Sequence, residues 1–181
     1  MKLILIDGGP ASGKNTLGEI LVADLKTTGE KSILLDHDIY VEKLCPTWIW
    51  TSNEQKESDL LSARTNFIVE LNKYLQEDFT VIAIGVRFLT SEDVAIYTDK
   101  LAIKCPVYLY HLSVSIALRK QRLEQRGPHS LIDLDKDQKD RDAITVWPGY
   151  VYQNVNSPES DARELMKLIQ ANKGLIDISN S

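Results

Sequence analysis

One stretch constrains this chain more than any other: Gly8-Gly9-Pro10-Ala11-Ser12-Gly13-Lys14-Asn15-Thr16. Its spacing is G-x-x-x-x-G-K. It follows a continuous apolar run at residues 3–6, Leu-Ile-Leu-Ile, and it precedes Leu17, Ile20, Leu21 and Leu25 at helical spacing. An unbroken apolar run suits a parallel strand covered on both faces. The stretch therefore joins a buried strand to a helix running from Lys14 to about Thr28. That context makes the spacing a P-loop rather than a chance pattern. The glycines let the backbone turn tightly and aim its N–H groups inward, and the helix N-terminus favours an anionic phosphate. Lys14 is placed to reach the β and γ phosphates of a nucleoside triphosphate. The alternative is a glycine-rich turn that holds nothing.

One position departs from the pattern. After the lysine a Ser or Thr normally offers its hydroxyl to Mg²⁺. Here the residue is Asn15, followed by Thr16. An asparagine oxygen is a hard neutral ligand and suits Mg²⁺. Thr16 points about 100° further round the helix.

The rest of the chain repeats the strand-then-helix pattern. Ser32 to Leu35 reads as a second buried strand that ends in Asp36-His37-Asp38. A polar segment with aromatics, 39–56, leads to a long helix at about 57–77. Thr80 to Ile84 reads as a third strand. Thr90 and Asp93 form a capping box that opens a helix to about Lys100. Pro106 to Leu112 is a fourth strand. Ser113 is the expected cap of a helix to Arg126, ended by Gly127-Pro128. Residues 128–146 are strongly polar. Tyr150 to Val155 is a fifth strand, and Ser157 with Pro158 opens a last helix to about Ala171. Such alternation implies right-handed βαβ units and a mostly parallel sheet. The site of such a sheet lies beyond the carboxyl ends of its strands. The P-loop, the pair Asp36 and Asp38, and Arg87 all fall at that edge.

Composition narrows the partners. A chain of 181 residues suggests one domain, and 43% apolar content is enough for a core. A net charge of -5 gives no general attraction for nucleic acid, so an anionic substrate needs a local cationic pocket. Two cysteines, Cys45 and Cys105, make no disulfide framework. The apolar run at the N-terminus is too short for a signal peptide, and no membrane-length apolar stretch follows. The expectation is a cytoplasmic protein with a small-molecule partner, without nucleic acid or membrane, as a monomer or homodimer.

Together the P-loop, the acid after the second strand, the arginine after the third and an arginine-bearing helix resemble the P-loop small-molecule and nucleotide kinases. The likeness extends over most of the chain and is nearest to the adenylylsulfate, shikimate, chloramphenicol and nucleoside monophosphate kinases. It implies a three-layer α/β P-loop NTPase fold with a five-stranded parallel sheet of order 2-3-1-4-5. It implies one domain over 1–181, an acceptor-binding segment at 39–66 and a lid at 127–146. It also implies ATP and Mg²⁺, with Gly8 to Thr16 around the phosphates. Asp38 then serves as general base or hydroxyl orienter, with Asp36 as helper or metal-shell ligand beside Asn15. Phosphoryl transfer needs an oriented hydroxyl more than a strong base. The competing reading is that one aspartate caps the next helix.

Val86-Arg87 looks like the third-strand ending of adenylylsulfate kinase, where arginine binds an acceptor anion; a surface ion pair is the rival. That strand carries no Walker B acid. Trp48 and Trp50 lie in the segment that closes over the acceptor in this class and suit stacking, or else a small hydrophobic cluster. Arg64 is a weaker acceptor candidate. Arg119, Arg122 and Arg126 share one helix face, with Glu124 the one acid among them. In nucleotide kinases arginines here close over ATP, which favours Arg119 and Arg126 over Arg122, with Arg141 as the second lid arginine. Asn154 to Pro158 falls where nucleotide kinases line the adenine pocket.

The resulting expectation is transfer of the γ-phosphoryl of ATP to a small acceptor, a hydroxyl by preference. A nucleoside monophosphate kinase with a phosphate acceptor is the first rival. A non-catalytic nucleotide switch or ATPase is the second. The second lacks support from a guanine-reading Asn-Lys-x-Asp motif or a Walker B acid.

Overall fold

The computed structural model describes residues 1–127 and 132–177. In chain order it contains β1 (Lys2–Gly8), α1 (Lys14–Thr27), β2 (Ser32–Asp36), α2 (His37–Glu42), α3 (Asn53–Gln76), β3 (Thr80–Ile84) and α4 (Ser91–Thr98). Then follow β4 (Val107–Ser113), α5 (Ile116–Arg126), α6 (Leu134–Asp142), β5 (Tyr150–Gln153), α7 (Pro158–Gln170) and β6 (Leu175–Ile176).

The apolar run of β1 is continuous because both of its faces are covered. Leu3 and Leu5 join one core with Phe67, Leu71 and Leu75 of α3 and Val94 of α4. Ile4 and Ile6 join the other with Leu17, Leu21 and Leu25 of α1 and Leu165 of α7. Successive strand residues point to opposite faces, so one run feeds two cores. The result is three layers: helices, sheet, helices.

The five parallel strands run in the expected order, β2-β3-β1-β4-β5. A sixth strand is added. β6 pairs antiparallel with Val107 and Tyr108 of β4. The short β5 pairs only with Tyr110 to Ser113, so β6 covers the part of that edge that β5 leaves open.

Several local expectations shift. Ser115, not Ser113, caps α5, because Ser113 stays in the ladder opposite Gln153. The long helix starts at Asn53, where Ser52 accepts from the Gln55 N–H. The polar stretches hold two unexpected helices. Asp36 caps α2 and Asp133 caps α6. Thr90 and Asp93 form the full capping box that their spacing implies. Of the Gly127-Pro128 pair expected to end α5, Gly127 is its C-cap, while Pro128 and the lid residues up to 131 lie outside the described residues.

Candidate functional site

The phosphate loop is shaped by contacts to its carbonyls. Gly13 sits at φ 96°, a left-handed turn that starts α1. Lys14 Nζ donates to Gly8 O at 2.7 Å and to Gly9 O at 3.3 Å. Arg122 Nη1 donates to Ala11 O at 3.2 Å and Asn154 Nδ2 to Ser12 O at 2.7 Å. Each bond takes a carbonyl out of competition with an incoming anion. The Arg119 and Asp137 side-chain ends lie against Gly9, and a Cβ there would push them aside. Ser12 Oγ is buried without a partner. Burial pulls the Lys14 ammonium below its ordinary value, while Asp7 and Asp38 oppose the shift.

The acidic pair divides into two jobs. The Asp36 carboxylate accepts from the Asp38 N–H at 3.0 Å and so caps α2. It also accepts from Asn15 Nδ2 at 2.9 Å, which joins the two sequence-derived metal candidates. Thr16 lies elsewhere, on a cavity of about 260 Å³ with Gly13, Arg122, Asn154, Asn156 and Pro158. That cavity stands where the adenine pocket was expected. Asp38 is half-buried, and burial with the neighbouring Asp36 pushes its carboxyl up to about 6, against the pull of Lys14. His37 turns to the core, edge-on to Phe67 at 5.4 Å between ring centroids. Gly85, at φ 81°, admits this arrangement, because a Cβ would meet the His37 and Asp38 nitrogens at 2.9 Å.

A cleft of about 880 Å³ opens between these parts. Lys14, Asn15, Asp38, Trp48, Arg87 and Arg141 all line it. Trp48 is half-buried in its wall at φ 56°. Trp50 stands behind, edge-on at 6.1 Å, with its indole N–H donated to Asp59 at 3.1 Å. Trp50 and Arg64 are not among the cleft's lining residues. Arg64 is half-buried on α3 and acts on His37 and Tyr97. Arg87 forms an ion pair, at 3.1 Å with Asp140 and 3.8 Å with Asp137. The pair bridges the loop after β3 to α6.

The arginines of the expected lid separate. Arg119 is 2% exposed and donates to Asp137 at 2.7 Å and to Gln138. Arg122 instead reaches the P-loop carbonyl of Ala11. Arg141 forks onto Asp7 at 2.8 and 3.0 Å and adds an Nε bond to Asp137. The Arg126 side chain lies outside the described residues.

Sequence reasoning missed Asp7, His111 and Asp137. Asp7 is fully buried at the end of β1, beside His111 of β4 in the sheet register. His111 Nδ1 lies 2.9 Å from its carboxylate, and the other ring nitrogen faces Pro148 O. Burial opposes ionisation of Asp7, yet the His111 and Arg141 bonds prevail and hold it well below the usual carboxylate range. Its signal was visible: an acid that ends an otherwise apolar strand. Asp137 had none, since it is one of many acids in a polar stretch.

No protein-family model and no curated protein matches the sequence. Solved structures do match the fold. A sugar kinase from Janibacter aligns at 15% identity and TM-score 0.60 over 94% of this chain and 95% of its own. Shikimate kinase from Acinetobacter baumannii, solved with shikimate, aligns at 21% and 0.58 over 95% and 94%. The APS kinase of Mycobacterium tuberculosis, solved with AMPPNP and APS, aligns at 14% and 0.56 over 93% and 97%. The chain therefore has the fold of the P-loop kinases. Among the described residues no helix is long and apolar enough to cross a membrane.

Proposed function

We propose that this chain is an ATP-dependent phosphotransferase that moves the γ-phosphoryl of ATP to a hydroxyl of a small molecule. The observation that carries the reading is one cleft lined by both Lys14 and Asp38. The loop and Lys14 hold the donor phosphates. Asp38 accepts the hydroxyl proton as the acceptor oxygen takes the phosphoryl group, and ADP leaves. A carboxyl near 6 is ionised at neutral pH and still able to take a proton. Arg119 and Arg141 are the arginines that neutralise the transferring group. Trp48 supplies an apolar wall for the acceptor.

A hydroxyl is favoured over a phosphate acceptor because Asp38, a carboxylate able to take a hydroxyl proton, lines the cleft. The neighbours solved with shikimate and with APS and AMPPNP support a small-molecule acceptor and an ATP donor.

Mg²⁺ fits in a limited way. Among the described residues no group of three or more His, Cys, Asp or Glu is arranged to hold a metal. Mg²⁺ commonly rests on phosphate oxygens and waters with only one or two protein ligands. The joined Asn15 and Asp36 are the residues for that role. Bound there, the ion neutralises phosphate charge.

The test is ATP consumption across nucleosides, nucleotides, sugars and antibiotics. A hydroxylated acceptor is expected to stimulate turnover. ATP binding with no stimulation by any acceptor supports the nucleotide switch instead.

A further inference from the structure

The acceptor end of the main cleft carries negative charge that the chain itself does not answer. Asp38 and Glu42 stand one helical turn apart on α2, so they share a face, and both line the cleft. Among the described residues neither carboxylate is engaged in an ion pair. Lys43, the next residue, turns to the Tyr40 ring instead, 5.0 Å from its centroid. Lys14 draws on Asp38, but bound donor phosphates claim that ammonium. Across the cleft, Arg87 is matched by Asp140 at 3.1 Å. Lys136 stands on α6 with Asp133 and Asp140 at neighbouring helical positions.

Two more groups at this end have capacity to spare. His37 lies between the two aspartates, is 9% exposed and borders the cleft. Its Nε2 is buried with no hydrogen-bond partner. Burial and the Arg64 guanidinium hold the imidazole below its ordinary value, so at neutral pH it is uncharged and one ring nitrogen accepts. A buried polar atom left unpaired costs free energy that a ligand recovers. Trp48 adds an aromatic wall, and the face of an indole attracts a cation.

We propose that the acceptor is a hydroxylated amine, with its ammonium held by Glu42 and the Trp48 ring, a hydrogen bond given to His37, and its hydroxyl on Asp38. The inference rests on the phosphotransferase reading and adds the charge of the acceptor. The acceptor oxygen bonds to the γ-phosphorus, the bond from that phosphorus to the bridging oxygen of ADP breaks, and the hydroxyl proton passes to Asp38. The ammonium keeps its charge throughout. One turn of helix spans about 5.4 Å, so the amine stands a few bonds from the hydroxyl that is phosphorylated.

The experiment measures ATP consumption by the full chain with 2-aminoethanol, glucosamine and kanamycin, each against its N-acetylated counterpart, and with gluconate as an anionic acceptor. At least one amine is expected to stimulate turnover, with kcat/KM about tenfold above its N-acetylated partner, the scale of one shielded cation–aromatic contact. Glu42→Gln is expected to raise KM for that amine about tenfold, to leave kcat in place and to leave the N-acetylated compound unaffected. Equal use of the two partners, or preference for the N-acetylated compound or for gluconate, overturns the inference and leaves the phosphotransferase reading standing. A Glu42→Gln variant that discriminates as the parent does overturns it too. Calorimetric titration of the same amines into the chain saturated with AMPPNP needs no turnover. Amine binding that weakens in Glu42→Gln, with no acceptor turned over, upholds the cation site and refutes the phosphotransferase reading alone. Absence of binding by every amine to the folded parent chain overturns the inference.

Discussion

The two walls of the cleft are built differently. On the donor side every key side chain is tied down. Lys14, Arg122 and Asn154 bond loop carbonyls, and Asp7, His111 and Arg141 form a buried network behind the loop. On the acceptor side Asp38 has a raised carboxyl and Trp48 a left-handed backbone. A nucleotide triphosphate has a fixed shape, so its site can be preorganised through backbone and buried charge. An acceptor is recognised by a few exposed side chains that differ from one enzyme to the next.

The largest effect should fall on the donor wall. Lys14→Ala is expected to cut ATP turnover by about a thousandfold, as losing one preorganised donor to transition-state charge does elsewhere. Steady-state kinetics checks it, and unchanged turnover with unchanged ATP affinity contradicts the P-loop reading. Asp7→Asn probes whether the wall is rigid because of its buried charges. Removing one partner from a buried network costs about 3 kcal/mol, or a melting temperature lower by about 10 °C in a chain of this size. Arg141 is expected to loosen with it, which calorimetry and amide exchange over α6 would show. A melting point that stays put means that the donor wall owes nothing to Asp7.

Most of the donor wall was legible in the sequence. The glycine spacing and the run of residues 3–6 set the loop and the central strand, because local geometry and covering on both faces impose those patterns. The order of the sheet came from resemblance and holds in the structure. What was not legible depends on long-range pairing. Arg119, Arg122 and Arg126 share a periodicity, yet Arg119 and Arg122 serve different faces because α6 and the P-loop approach from different sides. Asp36 and Asp38 looked equivalent, and only the helix that starts between them separates a cap from an acid that lines the cleft. Arg87 was read as an acceptor ligand or a surface pair. Its partner Asp140 lies more than fifty residues on, where spacing carries no information.

The acceptor wall should respond next. Asp38→Asn is expected to slow transfer by about a hundredfold, within the usual range for a general base, while ATP affinity is unchanged. The rate of the parent chain should fall as pH drops through about 6, where the carboxyl takes up its proton. That acid limb should vanish in the variant. Stability has the opposite sign. A carboxyl raised on folding binds its proton more tightly in the folded chain, so its contribution is lost as pH climbs through about 6. Asp38→Asn should therefore melt higher than the parent at pH 7.5 and equally at pH 3. A variant that melts lower at pH 7.5 would mean that the aspartate is structural.

The smallest effect separates the two readings of Trp48. A non-glycine residue in the left-handed region costs about 1 kcal/mol, and Trp48 carries that cost at φ 56° with its ring in the cleft wall. Trp48→Gly removes both the strain and the ring, whereas Trp48→Phe keeps a ring and the strain. If the ring serves the acceptor, the glycine variant should raise the acceptor KM about tenfold, the scale of one aromatic contact. Its kcat and melting temperature should hold, and the phenylalanine variant should recover most of the KM. If the ring only packs on Trp50, the pattern inverts: KM stays fixed in both variants and the melting temperature of the glycine variant drops. Acceptor titration and calorimetry on the same two proteins decide it. The first pattern sets the acceptor wall apart as a surface strained for its ligand, and the second leaves Asp38 as its sole functional residue in the cleft.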